Sequence, residues 1–276
     1  MSPELFYITV LLITGVGVGF LTGLLGVGGG FILVPIQFFL LESIGVDPTT
    51  AIRISFGTSL AVILPTAISG TYRHHTKGLV LVRPALYMGI TGILGGFLGG
   101  YIATHVPGDY LKIIFGAALL LVAVQMLIFK DSPDDKKKVE NVYQYLFWGL
   151  IAGLMSGLVG IGGGVILVPV MVIILGFSMI EAVGTSTMVI IFTSIGGIVA
   201  YILNGLNITG LPPHSLGYVN LLQLVILAGM SIPMAQIGAT AAHKVPTRFL
   251  RYVFVVILIY VALKMLGVFP WLGIPL

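Results

Sequence analysis

A glycine-rich apolar segment occurs twice in this chain and restricts the folds that the chain can adopt. The segment at 15–35 reads GVGVGFLTGLLGVGGGFILVP, and the segment at 149–169 reads GLIAGLMSGLVGIGGGVILVP. Both copies contain three glycines at four-residue spacing, a Gly-Gly-Gly run and a closing proline. Self-similarity at a fixed offset is the signature of an internal repeat. The chain is therefore predicted to fold as two related halves, each with a glycine-broken apolar segment.

The composition predicts that these segments lie in a membrane. Hydrophobic residues make up 58% of the chain and charged residues 8%, whereas soluble domains carry about a quarter charged residues. Several apolar runs reach the roughly 20 residues that a helix needs to cross about 30 Å of hydrocarbon. Because lipid offers the backbone no hydrogen-bond partner, spanning segments are helices or closed barrels. These runs are continuous rather than alternating, so we predict an all-α polytopic membrane protein.

The repeat extends along both halves and predicts the domains. Each half contains about five hydrophobic helical segments, and a polar run, KDSPDDKKKVEN, separates the halves. We predict an N-terminal repeat bundle over 1–129, a charged cytoplasmic linker over 130–141 and a C-terminal repeat bundle over 142–276. The predicted helices cover about 5–25, 31–43, 49–70, 84–105, 110–129, 142–159, 165–177, 181–203, 218–243 and 248–267.

The basic residues predict the orientation of the chain in the cytoplasmic membrane. Loops at 71–83, 130–142 and 243–251 hold most of the Lys and Arg, and loops of this kind face the cytoplasm. An odd number of crossings in each half then makes the halves inverted repeats, with both termini external. The N-terminal segment lacks a basic stretch and a small-residue cleavage site. We therefore expect a retained span rather than a signal peptide.

The path of each glycine-broken pair is open at this point. The pair either crosses the membrane twice or forms a re-entrant hairpin, and both paths give the same parity. A single broken crossing is disfavoured, because it would place the third basic loop outside.

The glycine runs are the first candidate site. Three adjacent glycines are too flexible for a helix interior, so they place amide groups at the start of the next helix, where the helix dipole is positive and favours anions. Paired broken segments in inverted halves point to the central site of a transporter. The alternative is a turn that only lets two helices cross. The candidate substrate-binding residues are Gly28, Gly29, Gly30, Gly162, Gly163 and Gly164.

Two Gly-Thr-Ser motifs add hydroxyl groups near these runs, one motif in each half. The four hydroxyls could donate to an oxyanion or satisfy backbone groups freed at the helix breaks. The alternative is a hydrogen bond from each hydroxyl to a carbonyl of its own helix. The candidate residues of these motifs are Thr58, Ser59, Thr185 and Ser186.

Arg53 precedes the first motif and is the remaining candidate. A charge at the centre of a spanning helix costs about 2.5–3.5 kcal/mol or more, so it would need a partner such as Glu42 or a bound anion. The alternative is an anchor that reaches the headgroups. Glu42 and Glu181 are expected in loops, and the run Arg73-His74-His75 is expected to supply surface charge in a basic loop.

Several classes of function are not expected. The chain has no cysteine, which excludes thiolate metal sites and catalytic thiols. The glycine runs lack the Lys-Ser/Thr of a nucleotide-binding loop. No His-Glu-x-x-His motif or buried Asp pair appears in the spans, so we expect no enzyme, no metal and no cofactor. The spans also lack the acidic residues of a cation path, and the basic residues sit in short loops, so we expect no nucleic acid partner.

At these residues the chain resembles the sulfite exporter TauE/SafE family of membrane permeases. The resemblance rests on GLLGVGGGFILVP and GLVGIGGGVILVP, on the two Gly-Thr-Ser helices and on the small-residue helix that ends in HVP at 105–107. It covers essentially the whole chain. It implies movement of sulfur-containing anions such as sulfite, sulfoacetate or other organosulfonates across the cytoplasmic membrane, and it leaves the individual substrate open.

Residues and resemblance together predict a secondary transporter that works by alternating access. The expected partners are a small anionic substrate and membrane lipid. Proton coupling, the direction of transport and a homo-oligomeric state are left open. Two alternatives remain, namely a permease for a different small anion and a non-transporting membrane subunit whose basic loops recruit another protein.

Overall fold

The computed structural model describes residues 3–25, 28–128, 139, 141–241 and 247–268. Seven of the helices within these ranges are long and apolar enough to cross a membrane, which confirms the all-α polytopic prediction. The elements are α1 (Pro3–Leu25), α2 (Gly30–Ser43), α3 (Pro48–His75), α4 (Val82–His105), α5 (Gly108–Ile128), α6 (Val142–Val159), α7 (Gly164–Ile173), α8 (Met179–Gly205), β1 (Ser215–Leu216), β2 (Val219–Asn220), α9 (Leu221–Ala241) and α10 (Thr247–Met265).

The helices that follow the glycine turns are short. Helix α2 has 14 residues and α7 has 10. At 1.5 Å per residue they reach about 21 Å and 15 Å, less than the hydrocarbon thickness of about 30 Å. Each carries a proline in its interior, Pro35 in α2 and Pro169 in α7. Neither short helix therefore crosses the membrane by itself, whereas α1 and α6 are long enough to do so.

Helices α3 and α8 form the centre of the molecule. They are the most buried of the seven candidate spans. Gly57 of α3 packs against the side chain of Tyr201, and the side chain of Leu60 packs against Gly197 of α8. Because the residue number rises along α3 while it falls along α8, the two central helices run antiparallel.

Small residues allow the outer helices to approach closely. A β-carbon added at Gly19 of α1 would lie 2.5 Å from the α-carbon of Ser231 in α9. One added at Gly157 of α6 would lie 2.1 Å from the carbonyl oxygen of Gly96 in α4. These contacts show that the glycine faces serve close helix packing. They also join helices from different halves of the chain.

The directions of the equivalent helices are opposite. Along the contact between α1 and α9, the residue numbers rise together on both helices, and the same holds between α3 and α9. These three helices are therefore parallel. The same register makes α4, α6 and α8 parallel to one another. Since α3 and α8 are antiparallel, α1, α3 and α4 run against α6, α8 and α9 respectively. The inverted relation of the halves stays a prediction that these directions support.

The domain boundaries also stay a prediction. Most of the 130–141 linker lies outside the described residues. At its end, the side chain of Asn141 accepts a hydrogen bond from the amide of Tyr143 and caps α6.

The structure corrects the predicted end of the third helix. Helix α3 continues past the predicted end at 70 to His75, so the Arg73-His74-His75 run is helical. The side chain of His74 is 1% exposed, and its Nε2 lies 3.3 Å from the carbonyl oxygen of Gly23. The prediction that this run supplies only surface charge is wrong for His74, because the histidine packs into the contact between α3 and α1.

Three further local predictions are corrected. Glu42 lies within α2 rather than in a loop. Glu181 lies in the first turn of α8, where it forms a capping box with Ser178. A short hairpin, in which Ser215 pairs with Asn220, directly precedes α9. Helix α9 therefore begins at Leu221 rather than near 218.

Candidate functional site

The two glycine turns meet in the interior of the molecule. A β-carbon added at Gly30 would lie 2.5 Å from the α-carbon of Ile161 and 2.6 Å from the carbonyl oxygen of Gly160. One added at Gly28 would lie 2.8 Å from the carbonyl oxygen of Ile161. No other residue type could bring the two backbones so close. The sequence predicted each turn separately, and the structure brings the two turns together.

The turns have a backbone conformation that favours glycine. Gly28 and Gly29 have φ angles of 90° and 69°, and Gly162 and Gly163 have φ angles of 84° and 78°. These values lie in the left-handed region, where a side chain costs roughly 1–2 kcal/mol per residue. Each pair turns the chain immediately before a helix, so α2 begins at Gly30 and α7 at Gly164.

Backbone groups, rather than capping side chains, make the first hydrogen bonds of each short helix. The carbonyl oxygen of Gly29 accepts from the amide of Leu33, and that of Gly163 accepts from the amide of Leu167. Neither α2 nor α7 has a hydrogen-bonding side-chain cap within the described ranges. The amides of Ile32 and Ile166 also donate to these two carbonyls, at 3.1 Å each. The start of each helix carries the positive end of the helix dipole. Two such helix starts therefore lie side by side.

The turns lie beside the middle of the two central helices. The Oγ of Ser59 is 3.0 Å from a β-carbon added at Gly30, and Ser59 is close to the midpoint of α3. A β-carbon at Gly162 would lie 3.3 Å from side-chain atoms of both Ile63 and Ile190. Ile190 is close to the midpoint of α8. The site therefore lies at half the height of the bundle.

Two hydroxyl groups donate hydrogen bonds to carbonyl oxygens of the second turn. Ser59 donates to the carbonyl of Gly160 at 2.8 Å, and Thr193 donates to that of Gly162 at 3.1 Å. Both side chains are 0% exposed. Of the three roles considered for Ser59, the structure shows a hydrogen bond to a backbone carbonyl freed at a helix break. Thr193 was missed from the sequence, although it aligns with Thr66 in the first half.

The two threonines of the Gly-Thr-Ser motifs make equivalent contacts across the halves. Thr58 accepts a hydrogen bond of 2.9 Å from the amide of Asn220, directly before α9. Thr185 accepts one of 3.0 Å from the amide of Leu81, directly before α4. Each threonine therefore holds the start of a helix from the other half. Ser186 donates to the carbonyl of Val183 in its own helix.

Arg53 lies apart from the glycine turns. Its guanidinium donates to the hydroxyl of Tyr218 at 3.3 Å and to the carbonyl of Val106 at 3.0 Å. It lies six residues before Ser59, which is about 9 Å along the helix axis. Glu42, the partner considered from the sequence, makes no salt bridge with it among the described residues.

Two further hydroxyls next to the turns were also missed. The Oγ1 of Thr22 is 2.6 Å from a β-carbon added at Gly29, and the Cβ of Ser156 is 3.3 Å from one added at Gly163. Both side chains are at most 1% exposed. The available signal was the duplication itself, because a hydroxyl residue stands seven positions before the middle glycine in both copies.

Comparison with known proteins identifies the family. The model of the family described as "Sulfite exporter TauE/SafE" matches residues 11–265, which is nearly the whole chain. The chain belongs to this family. The resemblance inferred from the glycine segments is thereby confirmed.

Proteins similar to this chain are named as transporters. A probable membrane transporter protein of Haemophilus influenzae is 28% identical over 94% of this chain and 98% of its own length. One of Methanocaldococcus jannaschii is 28% identical over 90% of this chain and 91% of its own length. A third, YunE of Bacillus subtilis, is 24% identical over 94% of this chain. No solved structure matches the chain significantly. The chain is therefore a multi-pass membrane transporter by family.

Proposed function

We propose that this TauE/SafE protein is a secondary transporter, rather than an enzyme, that moves a small sulfur-containing anion across the cytoplasmic membrane. The substrate class comprises sulfite, sulfoacetate and other organosulfonates. The observation that carries the proposal is the meeting of two uncapped helix starts at half the height of the bundle. Amide groups at helix starts bind anions in many proteins.

The chemistry around the turns favours an anion over a cation. Carbonyl oxygens would attract cations, and those of Gly160 and Gly162 are already hydrogen-bonded to Ser59 and Thr193. The amides of Ile32 and Ile166 donate to the carbonyls of Gly29 and Gly163, so the backbone amides proposed to face a ligand are those of the first helical residues, Gly30 and Gly164. Among the described residues, no cluster of three His, Asp or Glu side chains could hold a metal ion. Neutral donors would hold a small oxyanion weakly enough to release it.

We assign the binding site to Gly28, Gly29 and Gly30 with Gly162, Gly163 and Gly164. Thr58, Ser59 and Thr185 are assigned to the support of these turns and of the neighbouring helix starts, in keeping with the hydrogen bonds they make. Ser186, which donates to Val183 of its own helix, is assigned to the packing of α8 beside them. Arg53, which makes no salt bridge among the described residues, is assigned to electrostatic attraction of anions toward the bundle.

The packing suggests which bodies move. Helices α1 and α9 are held together by glycine contacts between backbones, and so are α4 and α6. Backbone contacts of this kind resist sliding, because interiors are close-packed. Gly96 and Gly196 give α4 the same kind of backbone contact with α8, so α8 belongs with α4 and α6. We therefore propose that access alternates when the pair α1–α9 rocks against a body that consists of α4, α6 and α8. Rocking of repeat-related bodies around a fixed site is a common mechanism in transporters with inverted repeats.

Purified protein in liposomes tests the proposal. Vesicles that contain the protein should take up ³⁵S-labelled sulfite faster than empty vesicles, and excess unlabelled sulfite should compete. A proton gradient of either sign, imposed in parallel samples, would reveal proton coupling as a change of initial rate. Protein that inserts but moves no labelled anion would contradict the proposal and favour a non-transporting subunit. Flux of labelled carboxylates without flux of sulfite would instead favour a permease for a different small anion.

A further inference from the structure

Two buried hydroxyl groups at equivalent positions beside the glycine turns have no hydrogen-bond partner. Thr22 of α1 is 1% exposed and Ser156 of α6 is 0% exposed. Among the described residues, neither Oγ1 of Thr22 nor Oγ of Ser156 has a partner. Both residues occupy the same position of the duplicated segment, seven residues before Gly29 and Gly163 respectively.

Among the described residues, two other buried hydroxyls also lack a partner, those of Thr71 and Ser194. Most buried hydroxyls on the same helices and their neighbours donate to a carbonyl, as Thr14 does to Val10 and Ser55 to Ala51. Burial of an unpaired hydroxyl is unfavourable, because the lost bonds to water are not replaced. Thr22 and Ser156 carry this unfavourable feature at equivalent positions of two segments that otherwise differ at many positions, whereas Thr71 and Ser194 are not at equivalent positions. A merely apolar residue would pack at least as well at either place.

Both residues lie beside the helix starts. The Oγ1 of Thr22 lies 2.6 Å from the position of a β-carbon at Gly29, the residue before α2. The Cβ of Ser156 lies 3.3 Å from the corresponding position at Gly163, the residue before α7. Each turn therefore combines a helix N-terminus with a buried hydroxyl that lacks a partner in the protein.

We infer that Thr22 and Ser156 donate hydrogen bonds to the transported anion, one at each glycine turn. This inference rests on the proposed transport function and names further binding residues for it. The ligand that fits is an oxyanion with at least two acceptor oxygens, so that one oxygen faces each turn. Sulfite and sulfonates have three such oxygens. A hydroxyl is needed at both positions, and Thr or Ser supplies it equally well.

Sulfite uptake by proteoliposomes separates this role from a structural one. Thr22→Val and Ser156→Ala remove the hydroxyls with little change of shape. Each should raise the half-saturating sulfite concentration about tenfold or more, as expected for loss of a hydrogen bond to a charged ligand, and the double variant should raise it further. Thr22→Ser keeps a hydroxyl and should retain the wild-type value. Thr14→Val and Ser55→Ala, which remove hydroxyls bonded within their own helices, serve as matched controls.

Thermal unfolding in detergent without anion supplies the second measurement. Because Val and Ala remove an unpaired buried polar group, the two variants should unfold at the wild-type temperature or above it. A half-saturating sulfite concentration equal to that of the wild type in both variants would overturn the inference but not the proposed function. A fall in thermal stability that parallels the loss of uptake would also overturn it, since the hydroxyls would then be structural. Wild-type protein that moves neither sulfite nor an organosulfonate would contradict the proposed function, and the inference with it.

Discussion

The hydroxyl of Ser59 donates a 2.8 Å hydrogen bond to the carbonyl oxygen of Gly160, and this bond joins α3 to the glycine turn of the other half. The turn needs such a donor, because its left-handed residues interrupt the helical hydrogen bonds that would otherwise occupy the carbonyl. The bond fixes the second turn against the middle of α3. The approach of Gly30 to Ile161 then follows.

Ser59→Ala should destabilise the protein by about 1–3 kcal/mol, because it leaves a buried carbonyl without a donor. Ser55→Ala is the matched control. Ser55 is equally buried and donates to Ala51 of its own helix, where the carbonyl keeps its helical amide partner. Unfolding of the purified proteins by titration with SDS measures both. Equal stability of the two variants would argue against a supporting role for Ser59.

Gly30→Ala should lower sulfite uptake more than tenfold. Its β-carbon would lie 2.5 Å from the α-carbon of Ile161, so the two turns would have to separate. The control is Gly17→Ala in α1, where a β-carbon meets no heavy atom within 4 Å and alanine improves helix propensity by about 1 kcal/mol. Uptake normalised to the amount of inserted protein is the measurement. Unchanged uptake by Gly30→Ala would mean that close contact of the turns is not needed for transport.

Thr58→Val and Thr185→Val should have similar effects. Each removes the acceptor for one backbone amide at the start of a helix from the other half, Asn220 before α9 and Leu81 before α4. The expected loss is about 1–3 kcal/mol for each variant, and the two losses should add if the sites are independent.

Thr9→Val provides the control for this pair. Its hydroxyl is exposed and bonds to Leu5 of the same helix, so its removal should change stability by less than about 0.5 kcal/mol. SDS unfolding of the single and double variants is the measurement. A large loss for one threonine and none for the other would contradict an equivalent role in the two halves.

Single cysteines should report the sidedness of the loops directly. The natural chain has no cysteine, so each introduced thiol is the only target for a maleimide. Thr209→Cys in the loop after α8 should react with an impermeant maleimide in intact cells, and Thr76→Cys after α3 should react only after permeabilisation. Both threonines are exposed, which makes them a matched pair. The reverse labelling pattern would invert the proposed orientation.

Much of the fold could be predicted because its causes are local. The breaks at Gly28–Gly30 and Gly162–Gly164 follow from the flexibility of adjacent glycines, and the structure has both. The end of α3 was predicted five residues too early, at Gly70. A single glycine does not end a helix whose later residues are held by packing, and His74 contacts Gly23 of α1.

The candidate site was predicted less completely. The glycines and the Gly-Thr-Ser motifs stood out by their repetition, but Thr193 and Thr22 did not, since single hydroxyls are common in membrane helices. Nor could spacing along the chain reveal that Thr58 would accept from an amide 162 residues away. The partners of Arg53 were likewise distant residues, Tyr218 and Val106, rather than the nearby Glu42.

The sequence by itself determined that this protein is a helical membrane protein and that each half contains a glycine break. Both follow from local properties, because the apolar length of a segment and the flexibility of its glycines do not depend on the rest of the chain. Only the tertiary structure decided that the two glycine turns contact each other and that the two uncapped helix starts lie side by side. It also decided that Ser59 and Thr193 donate hydrogen bonds to the carbonyls of the second turn. Those contacts join residues about a hundred positions apart or depend on how two antiparallel central helices pack. Their geometry is a property of the assembled bundle and of no single segment.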